Sequence, residues 1–407
     1  MPEGKVALVL GASGVTGWAA INEILNDYPK KGVWSRVHAL ANRPLTAEEA
    51  MWPRDDRVVI TSGLDLLAGT QEDVQKKLLE VPGLADVTHV FYFGMLAIFT
   101  CTACHPNGHL AYKGNTDYST EVAENVEMFK RAATAVDALC PKLELLVNQT
   151  GSKMYGCHLL HDRPAEVKPP FKEDGPKLEG TSAATLFYPG QLDFLTELSN
   201  GKKWKWFETR PDIIVGFVPH HNFYGLGTSL GFFLSLFREI NGEGAECPFP
   251  GTVKSWVALN QDAGANMIAR QTIHIGLSPG LRSGTAYNLG DERGASNWSA
   301  KWPIICAEFG LKGVKAPEDN PVEVRKYIKD NHETWRAVEE KHGLKKGHAD
   351  NERAFPGHEH FLLSLFELDR HYDLGRLYDE AGFPEERKAG ESYKVTFERM
   401  KKAKLIP

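Results

Sequence analysis

Three glycines near the start of the chain have the spacing of a phosphate-binding turn. They stand at positions 11, 14 and 17, between the strand-length apolar run 6–10 and the helix-like segment 18–28. Glycine at these places allows a tight turn, close approach of the backbone to a pyrophosphate and close packing of helix on strand, while the helix N-terminus presents free N–H groups. The segment therefore predicts a dinucleotide site. Its expected contacts are Gly11, Ser13, Gly14, Val15, Thr16 and Gly17.

The end of the next predicted strand indicates which dinucleotide the turn binds. Strand 37–41 is followed by Asn42, Arg43 and Pro44, at the place where an NAD site positions a carboxylate on the ribose hydroxyls. Arg43 instead offers a planar, permanently charged fork to a 2′-phosphate. We therefore expect NADPH, held in part by these three residues. After a third strand, 58–61, Asp65 and Leu66 are expected at the adenine edge, with Asp65 as a turn cap the alternative.

Lys153 and Tyr188 are the side chains expected to perform acid–base chemistry. Reductases with this kind of sheet often place tyrosine and lysine four residues apart on one helix, but no tyrosine in this chain is followed by lysine at that spacing. Lys153 follows a predicted fifth strand, 143–150, and Tyr188 opens a helix-like segment 188 − 153 = 35 positions later. The two side chains must therefore come together from separate segments.

Cysteine and histidine patterns do not favour a metal site. The segment from Cys101 to His105 matches the C-x-x-C-H string of covalent haem attachment, but that chemistry normally requires export, and the N-terminus lacks the pattern of a secretory signal. The other cysteines form no second pair of zinc ligands. We expect no metal and reduced thiols.

Alternating strands and helices in the first half predict an α/β fold, with a Rossmann-type doubly wound parallel sheet. The remaining predicted elements are helices 71–79 and 118–138 and strands 87–94 and 213–218. Ligands of such sheets lie beyond the carboxyl ends of the strands. Gly94, Thr150 and Gly151 are therefore expected to border the cofactor.

Beyond residue 218 amphipathic helices predominate and predict a mostly helical substrate lobe. The predicted helices are 230–240, 302–309 with Pro303 in its first turn, 322–341 and 358–378. We divide the chain into an NADP-binding domain, 1–218, and a substrate-covering lobe, 219–407, which partly returns to the sheet after a loop at 242–251. Tyr155 and Tyr224 are second-rank candidates for the pocket, with a packing role the favoured alternative, and the aromatic residues from Phe223 to Phe237 either line the pocket or fill a core.

Charge and hydropathy exclude several classes of partner. The net charge of −6 argues against nucleic acid and anionic membrane surfaces. No stretch approaches the roughly twenty apolar residues that span a bilayer. We expect a cytoplasmic protein with a small-molecule substrate, and a homodimer remains open.

Motifs along nearly the whole chain carry a resemblance to a known family. They are the turn 11–17, Asn42-Arg43, 86–92, Thr150-Gly151-Ser152-Lys153, Phe187-Tyr188, 210–216, Phe249-Pro250-Gly251 with Trp256, and Trp335 with the C-terminal helices. In these the chain resembles the progesterone 5β-reductase/iridoid synthase-like family of short-chain dehydrogenases. The resemblance implies that Lys153 and Tyr188 act together, and that Pro211 and Ile214 also contact the cofactor.

The reaction implied by the resemblance is addition of hydride from NADPH to the β-carbon of an enone or enal. Negative charge then develops on the carbonyl oxygen, to which the Tyr188 hydroxyl would donate. Lys153 would hold the ribose and draw the pKa of Tyr188 downward. A 1,2-reductase of ketones or imines, and a non-redox NADP(H)-binding cyclase, isomerase or sensor, are the alternatives.

Three departures from the family pattern leave the substrate open. Pro189 stands at the family's second tyrosine, Asp193 alone remains of an E-D pair, and Met95-Leu96 replace the usual tryptophan. Relatives present the last positions to substrate, so Met95 and Leu96 are candidate substrate contacts here. We expect a bulky, mostly apolar acceptor.

Overall fold

The computed structural model describes residues 4–94, 118–220, 225–349 and 358–407. Within them, seven strands form one parallel sheet and four short strands form two separate pairs. The strands are β1 (Lys5–Leu10), β2 (Trp34–Ala41), β3 (Val58–Ser62), β4 (His89–Tyr92), β5 (Leu145–Gln149), β6 (Lys205–Pro211), β7 (Ile213–Val215), β8 (Glu246–Pro248), β9 (Asp262–Gly264), β10 (Thr285–Leu289) and β11 (Lys312–Val314).

The order of the large sheet is β3-β2-β1-β4-β5-β6-β10, with every neighbouring pair parallel. Chain connections reverse direction between β1 and β4, and in sheets of this type the crevice beyond that point receives the ligand. The topology confirms the predicted Rossmann fold.

Helices cover both faces of the sheet. They are α1 (Val15–Leu25), α2 (Ala47–Ala50), α3 (Gln71–Leu79), α4 (Tyr118–Leu139), α5 (Gly180–Ala183), α6 (Tyr188–Ser199), α7 (Leu226–Asn241), α8 (Val253–Val257), α9 (Ala265–Leu277), α10 (Trp298–Ala307), α11 (Val324–Asp330), α12 (His332–His342), α13 (His358–His360) and α14 (Glu391–Lys402). Helix α1 packs on α9, and α4 packs on α3 and α6. No helix in the described part of the chain is long and apolar enough to cross a membrane.

Successive side chains of β1 point to opposite faces of the sheet and pack in two different hydrophobic cores. Ala7 and Val9 join the core that contains Trp18 of α1, and Leu8 and Leu10 join the core that contains Phe129 of α4. Because helices cover both faces, β1 is apolar from Val6 to Leu10 rather than alternating with polar residues. This is why the strand is evident in the sequence.

The predicted sixth strand, 213–218, is a strand only over 213–215, and it does not join the large sheet. The strand that joins the sheet is β6, and the apolar segment after it, β7, pairs instead with β9. Strand β6 carries Glu208 and Arg210, which are buried and form an ion pair with each other. Because of these charged residues, the sequence of β6 does not look like that of a buried strand. Strand β10 was not predicted, and it brings the second half of the chain back to the sheet.

Several predicted helix boundaries also differ from the structure. Helix α1 begins at Val15, between the second and third glycines of the turn, and ends at Leu25, three residues earlier at each end than expected. Helix α10 starts at Trp298 because the Asn297 side chain accepts from the Ala300 N–H at 3.2 Å, so Pro303 lies inside the helix rather than in its first turn.

The long C-terminal helices are interrupted, and the expected loop contains a strand. The segment 322–341 divides into α11 and α12 at Asn331, whose backbone leaves the helical conformation. The segment 358–378 holds α13 and a five-residue π-helix, 361–365, and a second π-helix occupies 376–380. Strand β8 lies within 242–251 and pairs with β11. The division into domains at residue 218 stays a prediction.

Candidate active site

The glycine turn leaves no room for side chains at its two ends. Gly11 has φ +88°, and a Cβ atom there would lie 2.9 Å from the Phe93 carbonyl group. A Cβ atom on Gly17 would lie 2.2 Å from the Gly11 carbonyl oxygen, a separation that forces the backbone to move. Gly14 is the N-cap of α1. The glycines therefore allow the N-terminus of α1 to pack closely against the end of β1, beside the crevice.

Two side chains from distant segments of the chain form hydrogen bonds with this turn. The Gln149 amide donates to the Thr16 hydroxyl at 3.3 Å, and the His220 Nε2 atom lies 2.9 Å from the Ser13 carbonyl oxygen. Burial lowers the pKa of His220, which keeps the ring neutral and lets Nε2–H donate. His220 is 207 residues from Ser13 in the chain. No local pattern indicates such a contact, and the sequence prediction missed it.

The ends of β2 and β3 are open to solvent on one side of the turn. Asn42, Arg43 and Pro44 are exposed directly after β2. Asp65 caps its own turn, since its carboxylate accepts from the Leu67 N–H at 2.9 Å, while Leu66 is buried. The turn cap given as the alternative for Asp65 is therefore present, and a contact of this exposed residue with adenine stays a prediction.

The other strand ends converge on Gly151. The Thr150 N–H donates to the Thr209 carbonyl at 2.8 Å, which joins the ends of β5 and β6. A Cβ atom on Gly151 would lie 3.4 Å from the Pro211 carbonyl oxygen and 3.8 Å from the Tyr188 hydroxyl. Gly94 lies two residues after β4, and Ile214 is half-buried in β7.

Lys153 and Tyr188 reach this edge on separate elements. Lys153 lies in a 3-10 turn, 152–155, and Tyr188 is the buried first residue of α6. Pro189 follows at a first-turn position, where its fixed φ favours the start of a helix, so the departure at this position stabilises the helix that carries Tyr188. Glu121 joins the two, because its carboxylate lies 3.5 Å from the Lys153 ammonium and acts electrostatically on Tyr188.

The pKa of Tyr188 corrects one expectation from the sequence. Burial, followed by the negative charges of Glu121 and Glu208, raises it well above the ordinary value of a phenol. The Lys153 ammonium, which is expected from the sequence to lower this pKa, is paired with Glu121. Tyr188 is therefore a neutral phenol, which can donate a hydrogen bond.

A buried polar network supports the turn that carries Lys153. Glu208 accepts from the Thr150 hydroxyl at 2.6 Å and from the Arg210 guanidinium at 2.8 Å. Arg210 also donates to the Tyr155 hydroxyl at 3.0 Å, which in turn donates to Asn288 at 2.6 Å. The network joins β6, β10 and the segment after β5.

Tyr155 packs in the interior of the protein. It is 3% exposed, its hydroxyl is used in this network, and its ring stacks on Phe171 at 4.7 Å between centroids. Packing is the role that the sequence favours for this residue, and a contact with substrate stays a prediction. The other candidates, Met95, Leu96, Phe223 and Tyr224, lie outside the described residues, as does the segment 101–105.

Glu121 and Glu208 are the site residues that sequence reasoning missed. Glu121 reads as an ordinary acidic residue in the first turn of a helix, and Glu208 as a sign of an exposed strand. Their roles depend on contacts between separate elements. Among the described residues, no group of three His, Cys, Asp or Glu side chains could hold a metal ion.

Comparison with known proteins assigns the chain to a family. Residues 7–407 match the family model described as a PRISE-like Rossmann-fold domain. The short chain dehydrogenase ausT of Aspergillus calidoustus is 33% identical over 409 residues, covering 99% of this chain and 94% of that protein. The 3-oxo-Delta(4,5)-steroid 5-beta-reductase of Arabidopsis thaliana is 25% identical, covering 99% and 93%.

Solved structures share the fold at low sequence identity. The GDP-mannoheptose C4 reductase of Campylobacter jejuni with NADP bound has a TM-score of 0.57 at 13% identity, covering 98% of this chain and 99% of that chain. The Bordetella bronchiseptica enzyme WbmG in complex with NAD has a TM-score of 0.57 at 14% identity, covering 100% and 96%. These likenesses support the architecture, and the sequence relatives identify the family. The chain belongs to the PRISE-like Rossmann-fold family of short-chain dehydrogenase/reductase enzymes.

Proposed function

We propose that the protein is an NADPH-dependent reductase that adds hydride to the activated C=C bond of a bulky, mostly apolar enone or enal. The observation that carries the proposal is the neutral, buried Tyr188 phenol at the strand ends, next to Gly151 and on the same edge as Lys153. A buried donor at this place suits an acceptor whose oxygen becomes negative during the reaction. The name of the steroid 5-beta-reductase relative supports the same substrate class.

The residues at the strand ends fit a phosphorylated dinucleotide. At Gly11 and Gly17 the backbone fills the space that a Cβ atom would need, so the N-terminus of α1 lies close to the end of β1, and its N–H groups would donate to a pyrophosphate there. The exposed Arg43 would hold a 2′-phosphate, with Asn42 and Pro44 beside it. Ser13, Val15, Thr16, Leu66, Gly94, Thr150, Pro211 and Ile214 are the further proposed contacts. When bound, the cofactor supplies the hydride.

Tyr188 stabilises the developing oxyanion in this mechanism. Its hydroxyl donates to the carbonyl oxygen of the substrate, and its raised pKa keeps the proton on the phenol through the physiological pH range. Because the ring is buried, water competes little for that hydrogen bond. Lys153 positions the nicotinamide ribose, and the Glu121 carboxylate holds the ammonium in place.

Removal of the Tyr188 hydroxyl tests this assignment. In Tyr188→Phe we expect kcat for enone reduction to fall about 100- to 1,000-fold, because an oxyanion donor is lost, while the Kd of NADPH stays unchanged. Steady-state NADPH oxidation and fluorescence titration measure the two quantities. Tyr327→Phe, which removes a hydroxyl that accepts from Asn241 in the C-terminal half, is the matched control. Full activity in Tyr188→Phe would contradict the proposed mechanism.

A further inference from the structure

We propose that Glu121 is a positioning residue of the active site, whose carboxylate anchors the Lys153 ammonium and balances its charge beside Tyr188. The inference rests on the proposed function, because it assigns Glu121 a role in the same acid–base site. It explains why a carboxylate is buried at the start of α4, where its negative charge adds to the burial that raises the pKa of the neighbouring phenol.

The burial of Glu121 requires a compensating cation. The residue is 2% exposed, and its Oε1 atom has no hydrogen-bond partner among the described residues. A buried carboxylate with so few partners is costly unless a positive charge lies close to it. The Lys153 ammonium, 3.5 Å from Oε1, supplies that charge. Lys153 remains partly exposed and can therefore also reach a ligand in the crevice.

Hydrogen bonds fix α4 relative to the elements that carry Lys153 and Tyr188. The Asn125 amide donates to the Glu121 carbonyl at 2.8 Å, and the Gln191 amide donates to the Asn125 carbonyl at 3.1 Å. The Asn148 amide donates in turn to Gln191 at 3.2 Å. Gln191 lies one turn beyond Tyr188 on α6, and Asn148 lies on β5. The backbone that carries Glu121 is therefore tied to α6 and β5, and its carboxylate lies beside the Lys153 ammonium.

Of the two carboxylates that act on Tyr188, Glu121 is the one that balances the charge of Lys153. The other carboxylate that faces the phenol is Glu208 on β6, which is paired with Arg210 at 2.8 Å. His158, on the turn after Lys153, carries no charge at neutral pH, because burial and then the nearby ammonium lower its pKa to about 3.

Loss of the Glu121 charge would expose Tyr188 to an uncompensated ammonium. The positive charge would then favour the phenolate, a form that cannot donate to a substrate oxygen. Glu121 thus acts on the reaction through Lys153 and Tyr188 rather than by touching substrate.

The ionisation of Tyr188 in Glu121→Gln tests the proposal. Near-ultraviolet absorbance of tyrosinate is followed from neutral to alkaline pH in each protein and in its Tyr188→Phe derivative, and the difference isolates Tyr188. We expect Tyr188 to ionise about one pH unit or more below the wild-type midpoint, because glutamine keeps the shape of glutamate without its charge. The proteins are compared within the pH range over which circular dichroism shows them folded, and a wild-type Tyr188 that stays protonated throughout that range sets a lower limit for its midpoint.

Two variants separate charge from shape. Glu121→Asp keeps the charge and should keep the wild-type midpoint. Glu127→Gln makes the same charge change on the exposed face of α4 and should also leave it unchanged. A Glu121→Gln protein whose Tyr188 ionises no earlier than in the wild type overturns the proposal, and so does an equal shift in Glu127→Gln. If Glu121→Gln does not fold, a wild-type midpoint in Glu121→Asp supports it and a midpoint lowered by about one unit overturns it.

An activity profile distinguishes failure of this inference from failure of the proposed function. The alkaline decline of kcat/KM for enone reduction should move to lower pH in Glu121→Gln, whereas a merely structural loss would lower the rate equally at all pH values. If the wild-type protein reduces no enone, the proposed function fails. The absorbance titration still decides the role of Glu121 in that case.

Discussion

The glycine turn at the start of the sheet and the interior of the C-terminal half fix their geometry by opposite means. At the turn, position depends on missing side chains, since a single Cβ atom on Gly17 would lie 2.2 Å from a backbone oxygen. In the C-terminal half, position depends on buried charges. The Lys301 ammonium lies 2.8 Å from Asp262 and donates to Asn260 at 2.6 Å, and Arg370 lies 3.2 Å from Asp212.

The difference concerns how far apart in the chain the interacting residues lie. Gly11 and Gly17 belong to the same short turn of the chain, whereas Lys301 and Asp262 are 39 residues apart in the sequence. The spacing of the glycines along the sequence is enough to predict the turn. The buried ion pairs of the C-terminal half form only when the fold has brought their residues together. Substitution in the first region should therefore harm ligand binding, and substitution in the second should harm the stability of the fold.

Gly17→Ala should have the largest effect on the cofactor site. The added Cβ atom meets the Gly11 backbone and must displace α1 from the end of β1, so we expect the Kd of NADPH to rise at least about 100-fold. Fluorescence titration with NADPH measures the change. Gly294→Ala is the matched control, because nothing lies within 4 Å of its Cβ position. Unchanged affinity in Gly17→Ala would contradict the role given to the turn.

Lys301→Met should act on the other region and leave the cofactor site intact. The substitution leaves Asp262 as a buried carboxylate without its cation, and we expect the free energy of unfolding to fall by about 3–5 kcal/mol. Urea denaturation measures it. Lys326→Met, which breaks an exposed ion pair with Asp330, should change stability little. Full stability in Lys301→Met, or loss of NADPH affinity in the folded variant, would count against the comparison.

Arg43→Gln should give the smallest and most selective change. Loss of the guanidinium removes a charge-assisted contact with the 2′-phosphate, so we expect the Kd of NADPH to rise about tenfold. The Kd of NADH should stay constant, which makes it an internal control within the same protein. Parallel titrations with the two dinucleotides check this, and an equal effect on both would show that Arg43 does not recognise the 2′-phosphate.

The first half of the fold could be predicted because its signals are local. The apolar strand β1, the glycine turn and helices α3 and α4 lie close to their predicted positions. Binding of the cofactor at this edge stays a prediction of the sequence. The structure adds that the predicted strand ends meet at Gly151, beside the Tyr188 hydroxyl.

The remaining features depend on contacts that no local pattern records. Strand β6 contains Glu208 and Arg210, which satisfy each other only inside the folded network, so its sequence does not look like that of a buried strand. The role of Glu121 requires Lys153, which is supplied by another element. Helix breaks such as that at Asn331 depend on packing in the C-terminal half, where the amphipathic pattern continues across the break.

Transfer of deuterium from the reduced cofactor tests the central claim most directly. Wild-type protein is incubated with NADPH deuterated at the transferable position and a panel of bulky cyclic enones and enals, and the products are examined by mass spectrometry and NMR. The account predicts a saturated carbonyl product with the deuterium on the former β-carbon and a proton taken from solvent on the α-carbon. Deuterium on a carbinol carbon would indicate 1,2-reduction, and tight NADPH binding with no consumption across the panel would indicate a non-redox role; either result would contradict the account.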